Sequence, residues 1–164
     1  MPAKYLEKNS IAATLPKTYW PQMAIVNTIQ PETGVDIETL RKIGEASVTT
    51  PETFSVHKRL ERQWKADRLN RLGLEASKKQ KQIDWATGET LGFGSLLLEG
   101  QNVRLSGQDS ERGTFSHRHS VLHDQDSDDT YVPLNNIESG AAQGKLSPHS
   151  SHLSEFAVMG YEYG

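Results

Sequence analysis

Residues 104–119 read Arg104-Leu-Ser-Gly-Gln-Asp-Ser-Glu-Arg-Gly-Thr-Phe-Ser-His-Arg-His119 and directly follow an apolar segment. The run contains two glycines, two acids, three arginines and two histidines. Val103 and Leu105 alternate with polar neighbours, as in a short strand, and the residues after them have the chemistry of a loop. Loops at strand ends hold the functional site in layered α/β proteins, so the run predicts an α/β fold with its site here.

The segment before this run predicts a buried helix. Asp84 is a favourable N-cap, the helix extends to about Leu98, and Gly100 ends it. Its apolar residues surround the helix on most sides, as in a helix packed between two layers. These residues are Trp85, Leu91, Phe93, Leu96, Leu97 and Leu98. Gly92 and Gly94 lower the helix propensity but permit close packing.

Residues 1–55 predict a linker with one short helix, Ile37–Gly44, which Asp36 caps. Residues 56–82 predict a basic connecting helix with an apolar edge, running from about Val56 to Leu74. Its apolar edge consists of Leu60, Trp64 and Leu72. The segment is rich in Lys and Arg, but its interspersed acids and few aromatic residues favour a solvated helix over a nucleic-acid surface. We therefore expect no nucleic-acid partner.

Residues 83–164 are predicted to form one domain, which follows the linker and the basic connecting helix. Thr130–Leu134 is predicted to be extended, although Pro133 limits its ladder hydrogen bonds. Residues 138–151 contain Ser, Gly, Pro and His and are predicted to form a loop. Ser154 is predicted to cap a last helix.

Five segments together resemble the 2-oxoglutarate dehydrogenase family, the thiamine diphosphate-dependent first component of 2-oxo acid dehydrogenase complexes. They follow the family's order and spacing within residues 34–164, most specifically within 84–164. They are Asp84-Trp-Ala-Thr, Phe93-Gly-Ser-Leu-Leu, the run 104–119, Tyr131-Val-Pro-Leu-Asn and Leu153-Ser-Glu. The resemblance implies an incomplete transketolase-like pyrimidine-binding domain, a parallel sheet with flanking helices, preceded by a helical and extended linker.

Glu155 is the first candidate site residue, because it opens an otherwise apolar helix. By base rates it would be a solvated first-turn glutamate, favoured there by the helix dipole. The resemblance of Leu153-Ser-Glu155 reverses that reading. It implies that Glu155 is the catalytic glutamate that holds the aminopyrimidine of thiamine diphosphate, with Leu153 and Ser154 beside it. We expect an apolar pocket around Glu155, with walls that include Leu153, Phe156, Val158 and Met159.

The loop Gly107–His119 is the second candidate, because its polar side chains can form a fixed network near the cofactor. These side chains are Gln108, Asp109, Glu111, Arg112 and His119. The alternative is that they hold the loop or a subunit interface without contacting ligand, as most polar groups near sites do. Arg112 and Arg118 are planar donors suited to carboxylates.

A metal site is disfavoured, although His117, His119 and His123 are near Asp124 and Asp126 in sequence. A single loop provides little of the convergent geometry that a metal requires. The resemblance implies magnesium on the cofactor diphosphate, held by residues of another domain. No Gly-rich phosphate loop or nucleophile elbow is present.

Composition limits the class of protein. The chain has 164 residues, a net charge of −3, 35% apolar residues and no cysteine, which excludes a disulfide framework and thiolate chemistry. No stretch approaches the roughly 20 apolar residues of a membrane span. The N-terminus has neither a secretory nor a transit layout. A mitochondrial matrix location is implied by the resemblance alone.

The resemblance implies a function: decarboxylation of a 2-oxo acid and transfer of the acyl group to a lipoyl arm of the second component. It also implies a homodimer. The substrate is 2-oxoglutarate in the citric acid cycle or, in a close paralogue, 2-oxoadipate in lysine and tryptophan breakdown. Because the chain resembles only part of such an enzyme, we expect it to be inactive alone. A non-catalytic truncated interaction protein is the competing class.

Overall fold

The structure is a computed structural model that describes residues 32–73, 82–138, 142–152 and 154–164. Residues Val35–Gly164 form one compact unit. Most of the predicted linker, including its prolines up to Pro31, lies outside the described residues. In chain order the helices are α1 (Ile37–Ala46), α2 (Lys58–Leu60), a π-helix (Glu61–Lys65), α3 (Ala66–Arg71), α4 (Trp85–Leu98), a 3₁₀ helix (Pro133–Asn136) and α5 (Glu155–Tyr163). The strands are β1 (Val103–Gly107), β2 (Leu122–His123), β3 (Thr130–Tyr131) and β4 (Leu146–Ser150).

Both predicted aspartate caps are confirmed. The Asp36 carboxylate accepts a hydrogen bond from the Thr39 amide at 2.9 Å at the start of α1. The Asp84 carboxylate accepts one from the Thr87 amide at 2.9 Å at the start of α4. Each bond satisfies a backbone donor that the first turn of a helix leaves without an intrahelical partner.

The predicted helix from 56 to 74 is interrupted. His57 caps α2 by accepting the Arg59 amide on Nδ1 at 3.3 Å, and a π-helix over Glu61–Lys65 then joins α2 to α3. Leu74, the expected end, lies outside the described residues. π-helical turns are rare and recur at functional sites, because they shift side chains out of the regular helical spacing.

The expectation that α4 is buried on most sides is only partly correct. Leu97 is fully buried and Leu91 is nearly so, but Trp85 is 95% exposed and Leu96 is 42% exposed. The helix packs against α1, β1 and the 3₁₀ helix, which cover part of its circumference and leave the rest open.

The sheet confirms the α/β class. Strands β1 and β4 pair in parallel, with Val103 opposite Leu146 and Gly107 opposite Ser150. The prediction of a loop over residues 138–151 is wrong, because β4 lies within it. The strand has the sequence Leu-Ser-Pro-His-Ser, which lacks an apolar alternation and includes Pro148. A proline is compatible with this strand because a two-stranded sheet leaves one edge of each strand unpaired.

A second, antiparallel pair joins β2 to β3. The extended prediction for Thr130–Leu134 holds as far as Val132, because Pro133 begins the 3₁₀ helix. Proline is well suited to the first position of a helix, where its missing N–H leaves no hydrogen bond unmade.

The core lies between α1, α4, β4 and the 3₁₀ helix. Its buried members are Ile43, Leu91, Leu97, Leu134, Ile137 and Leu146. This core fixes the base of β1 and therefore the position of the polar loop that follows it. Within the described ranges, every helix is too short or too polar to span a bilayer.

Candidate functional site

The loop after β1 is held in a defined backbone conformation. Asp109, Ser116 and His119 have φ values of 52°, 53° and 47°, which non-glycine residues adopt infrequently. Gly113, with a φ of 82°, lies between them. A Cβ at Gly113 would lie 2.6 Å from Nδ1 of the His117 ring, so glycine is required there for space as well as for backbone angle. Such conformations persist only where the surrounding contacts impose them, and they are frequent at functional sites.

Asp109 and Arg112 form the ion pair that closes the turn. Arg112 donates from Nη2 to Asp109 Oδ2 at 2.5 Å and from Nη1 to Ser116 Oγ at 2.7 Å. The Arg112 carbonyl accepts the amides of Arg118 and His119 at 2.9 and 3.1 Å. The structure therefore brings Asp109, Arg112 and His119 together in one loop, and their place near the cofactor stays a prediction.

Two other predicted members are connected differently. The Glu111 carbonyl accepts both the amide and the hydroxyl of Ser120, and the Glu111 carboxylate lies 3.5 Å from Nε2 of His123. Glu111 therefore joins the network mainly through its backbone. The Gln108 side chain is exposed, and none of the described residues forms a hydrogen bond with it. The predicted place of Gln108 in a network near the cofactor therefore stays a prediction.

Arg118 anchors the loop to α4 through Glu89, which the sequence did not single out. Arg118 Nε lies 2.6 Å from Glu89 Oε1, Nη2 lies 3.1 Å from Oε2, and Nη1 donates to the Ser110 carbonyl at 3.0 Å. This two-pronged geometry is the one in which an arginine binds a carboxylate most strongly. The sequence gives little indication of this ion pair, because 29 residues separate Glu89 from Arg118.

His119 is the buried titratable group of the loop. Its Nε2 lies 2.9 Å from the Ser116 carbonyl, and its ring is 5.9 Å from that of Trp64 in an edge-on arrangement. Burial lowers the pKa of His119 below its ordinary value of 6.5; the Ser116 carbonyl opposes this shift, and the charges of Arg68 and Arg112 add to it. The folded protein therefore favours the neutral ring.

This shift predicts a loss of stability on mild acidification. In the unfolded chain His119 takes up a proton near pH 6.5, whereas in the folded chain it does so only at lower pH. Stability therefore falls as the pH drops below about 6.5 and stops falling once the folded ring is also protonated. We expect thermal unfolding midpoints between pH 7 and pH 5 to show this slope, and His119→Asn to flatten it.

The matched control is His149→Asn, because His149 is exposed on β4. This variant is expected to keep the wild-type slope. Equal slopes in wild type and His119→Asn would contradict the assignment of the effect to His119.

Glu155 lies in the first turn of α5, as predicted, and its side chain is exposed. Ser154 occupies the N-cap position, but its side chain makes no capping hydrogen bond. The expected enclosed apolar pocket is absent from the described residues: Phe156 and Met159 are 87% and 70% exposed, and Val158 is half-buried. Leu153, the remaining expected wall, lies outside the described residues. The pocket is missing because α5 packs against this chain along one side only.

That side is held by an aromatic contact with β1. The Arg104 guanidinium carbon lies 4.4 Å from the centroid of the Tyr161 ring, and Arg104 donates to the Tyr161 hydroxyl at 3.3 Å. The opposite side of α5 presents a carboxylate beside exposed aromatic and thioether groups. A flat, partly polar ligand or a second protein surface could be bound by this combination.

Among residues 32–73, 82–138, 142–152 and 154–164, no three His, Asp or Glu side chains converge. In particular, the Asp124 carboxylate accepts the amides of Ser55, Asp126 and Ser127. It therefore organises the turn before β3.

Comparison with known proteins gives matches over most of the chain. Residues 81–164 match the family described as "Transketolase, pyrimidine binding domain". A probable 2-oxoadipate dehydrogenase complex component E1 homolog of Dictyostelium discoideum is 50% identical over 133 residues, which are 81% of this chain and 14% of that protein.

Two further relatives carry the 2-oxoglutarate name. The 2-oxoglutarate dehydrogenase E1 component of Rickettsia felis is 44% identical over 145 residues, 88% of this chain and 14% of that protein. The mitochondrial 2-oxoglutarate dehydrogenase of Dictyostelium discoideum is 47% identical over 135 residues, 80% of this chain and 13% of that protein. The chain thus spans about one seventh of the length of the curated relatives it matches.

Proposed function

The chain belongs to the transketolase pyrimidine-binding domain family, and from that premise we propose that it is a segment of a thiamine diphosphate-dependent first component of a 2-oxo acid dehydrogenase complex. The reaction proposed for the whole protein is decarboxylation of 2-oxoglutarate, followed by transfer of the succinyl group to a lipoyl arm of the second component. This assigns the whole protein to the oxidoreductases of the citric acid cycle. The names of the 44–50% identical relatives support the proposal.

The observation that carries the proposal is the carboxylate at the start of α5. Glu155 lies inside the matched region 81–164 and is exposed. The exposed side chains of Phe156 and Met159 lie on the same short helix. A pyrimidine ring needs one carboxyl group at a ring nitrogen and apolar surface against its faces. Glu155 provides the carboxyl group, and Phe156 and Met159 provide the apolar surface, that an aminopyrimidine requires. Leu153 and Ser154 are proposed to flank the ring.

The role of Glu155 is to hold a proton against the ring nitrogen of the bound aminopyrimidine. A carboxyl group that is shielded from water shares a proton readily, because desolvation disfavours its charged form. When bound, thiamine diphosphate supplies a thiazolium ring that accepts the electrons released as carbon dioxide leaves. Glu155 is thus proposed to orient and tune the cofactor.

The loop 107–119 is proposed to support this site from behind. Its Asp109–Arg112 pair, its Arg118–Glu89 pair and the buried His119 fix the end of β1, and β1 in turn holds α5 through Arg104 and Tyr161. Glu111 and Gln108 are proposed to face neighbouring parts of the enzyme. Positioning of this kind is how groups around a site usually act.

A homodimer is proposed because the exposed face of α5 requires a cover. Phe156, Met159 and Tyr163 are all largely exposed, and an aromatic patch of this kind is typical of a protein interface. A second copy would exclude water from Glu155. Magnesium is proposed to bind the cofactor diphosphate through residues outside this chain. A mitochondrial matrix location rests on the mitochondrial relative.

A second candidate substrate is 2-oxoadipate, because a relative named for 2-oxoadipate has 50% identity and the mitochondrial 2-oxoglutarate enzyme of the same organism has 47%. This difference in sequence identity is small, and the residues that determine substrate specificity are expected to lie outside this segment. A non-catalytic interaction protein is the alternative from another class. If the chain is such an interaction protein, it should associate with an intact first component, and removal of the Glu155 carboxylate should not abolish this association.

The test is a decarboxylation assay on the full-length protein that contains this segment, with each 2-oxo acid and a lipoyl acceptor. We expect turnover that requires both thiamine diphosphate and magnesium, with a higher kcat/KM for 2-oxoglutarate than for 2-oxoadipate. The reverse preference selects the second candidate. Turnover that does not depend on the cofactor, or no turnover with either acid, contradicts the proposal.

A further inference from the structure

A cavity of about 750 Å³ lies between the helical segment 57–70, the start of α4 and the loop residues 116–119. None of the described residues that line it belongs to α5. Small-molecule sites usually enclose about 300–1,000 Å³, so the cavity is large enough for a metabolite. The π-helix Glu61–Lys65 forms part of its wall and places Trp64 there.

Arg68 lines this cavity as a buried cation without an ion pair among the described residues. It is 5% exposed, and burial lowers its pKa to about 10. Its guanidinium lies 5.0 Å from the centroid of the Trp64 ring and donates one hydrogen bond, from Nη2 to the Arg118 carbonyl at 3.2 Å. A charge removed from water is costly unless a counter-charge or several hydrogen bonds replace the lost solvation.

The acids nearest to Arg68 are paired with other arginines. Asp84 lies 3.2 Å from Arg71 Nε, and Glu89 forms the two-pronged pair with Arg118. Both carboxylates act on Arg68 only through space. Asp67 and Asp84 also line the cavity and both pair with Arg71, whereas Arg68 has, among the described residues, only its hydrogen bond to the Arg118 carbonyl.

Two residues that line the cavity each carry a buried polar atom without a hydrogen-bond partner in the described part of the chain: Trp64 at Nε1 and His117 at Nδ1. The indole nitrogen can only donate, and an imidazole nitrogen can donate when it carries the proton. Buried polar atoms are nearly always satisfied in native proteins, so each of these two atoms has hydrogen-bonding capacity that the described side chains leave unused.

We propose that this cavity binds the phosphate group of a small phosphate monoester, with Arg68 and the Trp64 indole as donors. A phosphate presents several acceptor oxygens and up to two negative charges, which matches convergent donors around a buried guanidinium. The remaining volume accommodates the organic part of the ligand. The proposal does not depend on the role of Glu155.

The experiment is a calorimetric titration of the full-length protein that contains this segment, saturated with thiamine diphosphate and magnesium, with inorganic phosphate and, separately, with phenyl phosphate, at constant ionic strength. We expect saturable binding of both, and tighter binding of phenyl phosphate because it also fills the cavity. Arg68→Met is expected to weaken both by about tenfold or more, the usual loss for one charge-assisted hydrogen bond. Stronger binding of inorganic phosphate than of the ester would overturn the monoester assignment.

The matched control is Arg41→Met, which removes the same charge from an exposed pair with Glu38 away from the cavity. It is expected to leave both affinities unchanged. Trp64→Phe serves as a second test, because it keeps a ring beside Arg68 and deletes only the N–H donor; weaker phosphate binding is expected. The proposal is overturned if the wild-type full-length protein binds neither anion in the millimolar range, or if Arg68→Met or Trp64→Phe binds as the wild type does.

Discussion

Glu155→Gln is expected to lower the turnover of the full-length enzyme by about 10²–10⁴-fold, the range typical of one acid–base group. Glutamine keeps the size of the side chain but cannot give or take the proton that the aminopyrimidine nitrogen requires. Two measurements report the effect: kcat with saturating cofactor, and hydrogen–deuterium exchange at the thiazolium carbon of the bound cofactor. Both should fall together, because the same proton controls them.

The control for this substitution is Glu38→Gln. Glu38 also lies in the first turn of a helix, α1, and is exposed, so both changes remove a negative charge from the first turn of a helix. Glu38→Gln is expected to leave turnover unchanged, and both variants should unfold at nearly the wild-type temperature. Near-normal turnover by Glu155→Gln would remove the residue from the mechanism.

Because Glu155 is exposed in this chain, another part of the enzyme must shield it from water if it is to act on the cofactor. The proposed role of Glu155 needs a site shielded from water, and its neighbours Phe156 and Met159 are exposed here, so that role requires another surface to cover α5. The contact of Arg104 with Tyr161 fixes one side of the helix and leaves the other available for that surface. The first turn of α5 thus lies where a partner can complete a site.

Local chemistry made parts of this structure predictable. Asp36 and Asp84 cap helices through bonds to residues three positions ahead, and Asp109 and Arg112 meet within one turn. Such contacts depend on a few neighbouring residues and can be predicted from them. The parallel sheet was predicted from the family resemblance, and the pairing of β1 with β4 confirms the fold class.

Contacts between distant segments were not predictable in the same way. Strand β4 was missed because its partner β1 lies 43 residues earlier and its own sequence contains Pro148. The Arg118–Glu89 pair joins a loop to a helix 29 residues away. Arg68 was interpreted as one basic residue of a solvated helix, although tertiary packing buries it. In each case the deciding partner is remote in sequence.

Helix α4 supplies a sharper test of packing, since two of its glycines should respond to alanine with opposite signs. At Gly94 a Cβ would collide with the side chain of Ile43, approaching its Cβ to 3.2 Å. Ile43 is fully buried and β-branched, so it has few alternative rotamers with which to move aside. Overpacking of this kind costs about 1–3 kcal/mol, which is expected to outweigh the roughly 1 kcal/mol that alanine gains over glycine in a helix.

At Gly92 nothing lies within 4 Å of the corresponding Cβ position, and the residue is exposed. Gly92→Ala is therefore expected to raise the free energy of unfolding by about 0.5–1 kcal/mol through helix propensity alone. Urea unfolding of both variants measures the difference. The sequence presents the two glycines as equivalent, and only the crossing of α1 over α4 separates them. If Gly94→Ala were as stabilising as Gly92→Ala, the close approach of Ile43 to α4, and with it the core that positions β1, would be wrong.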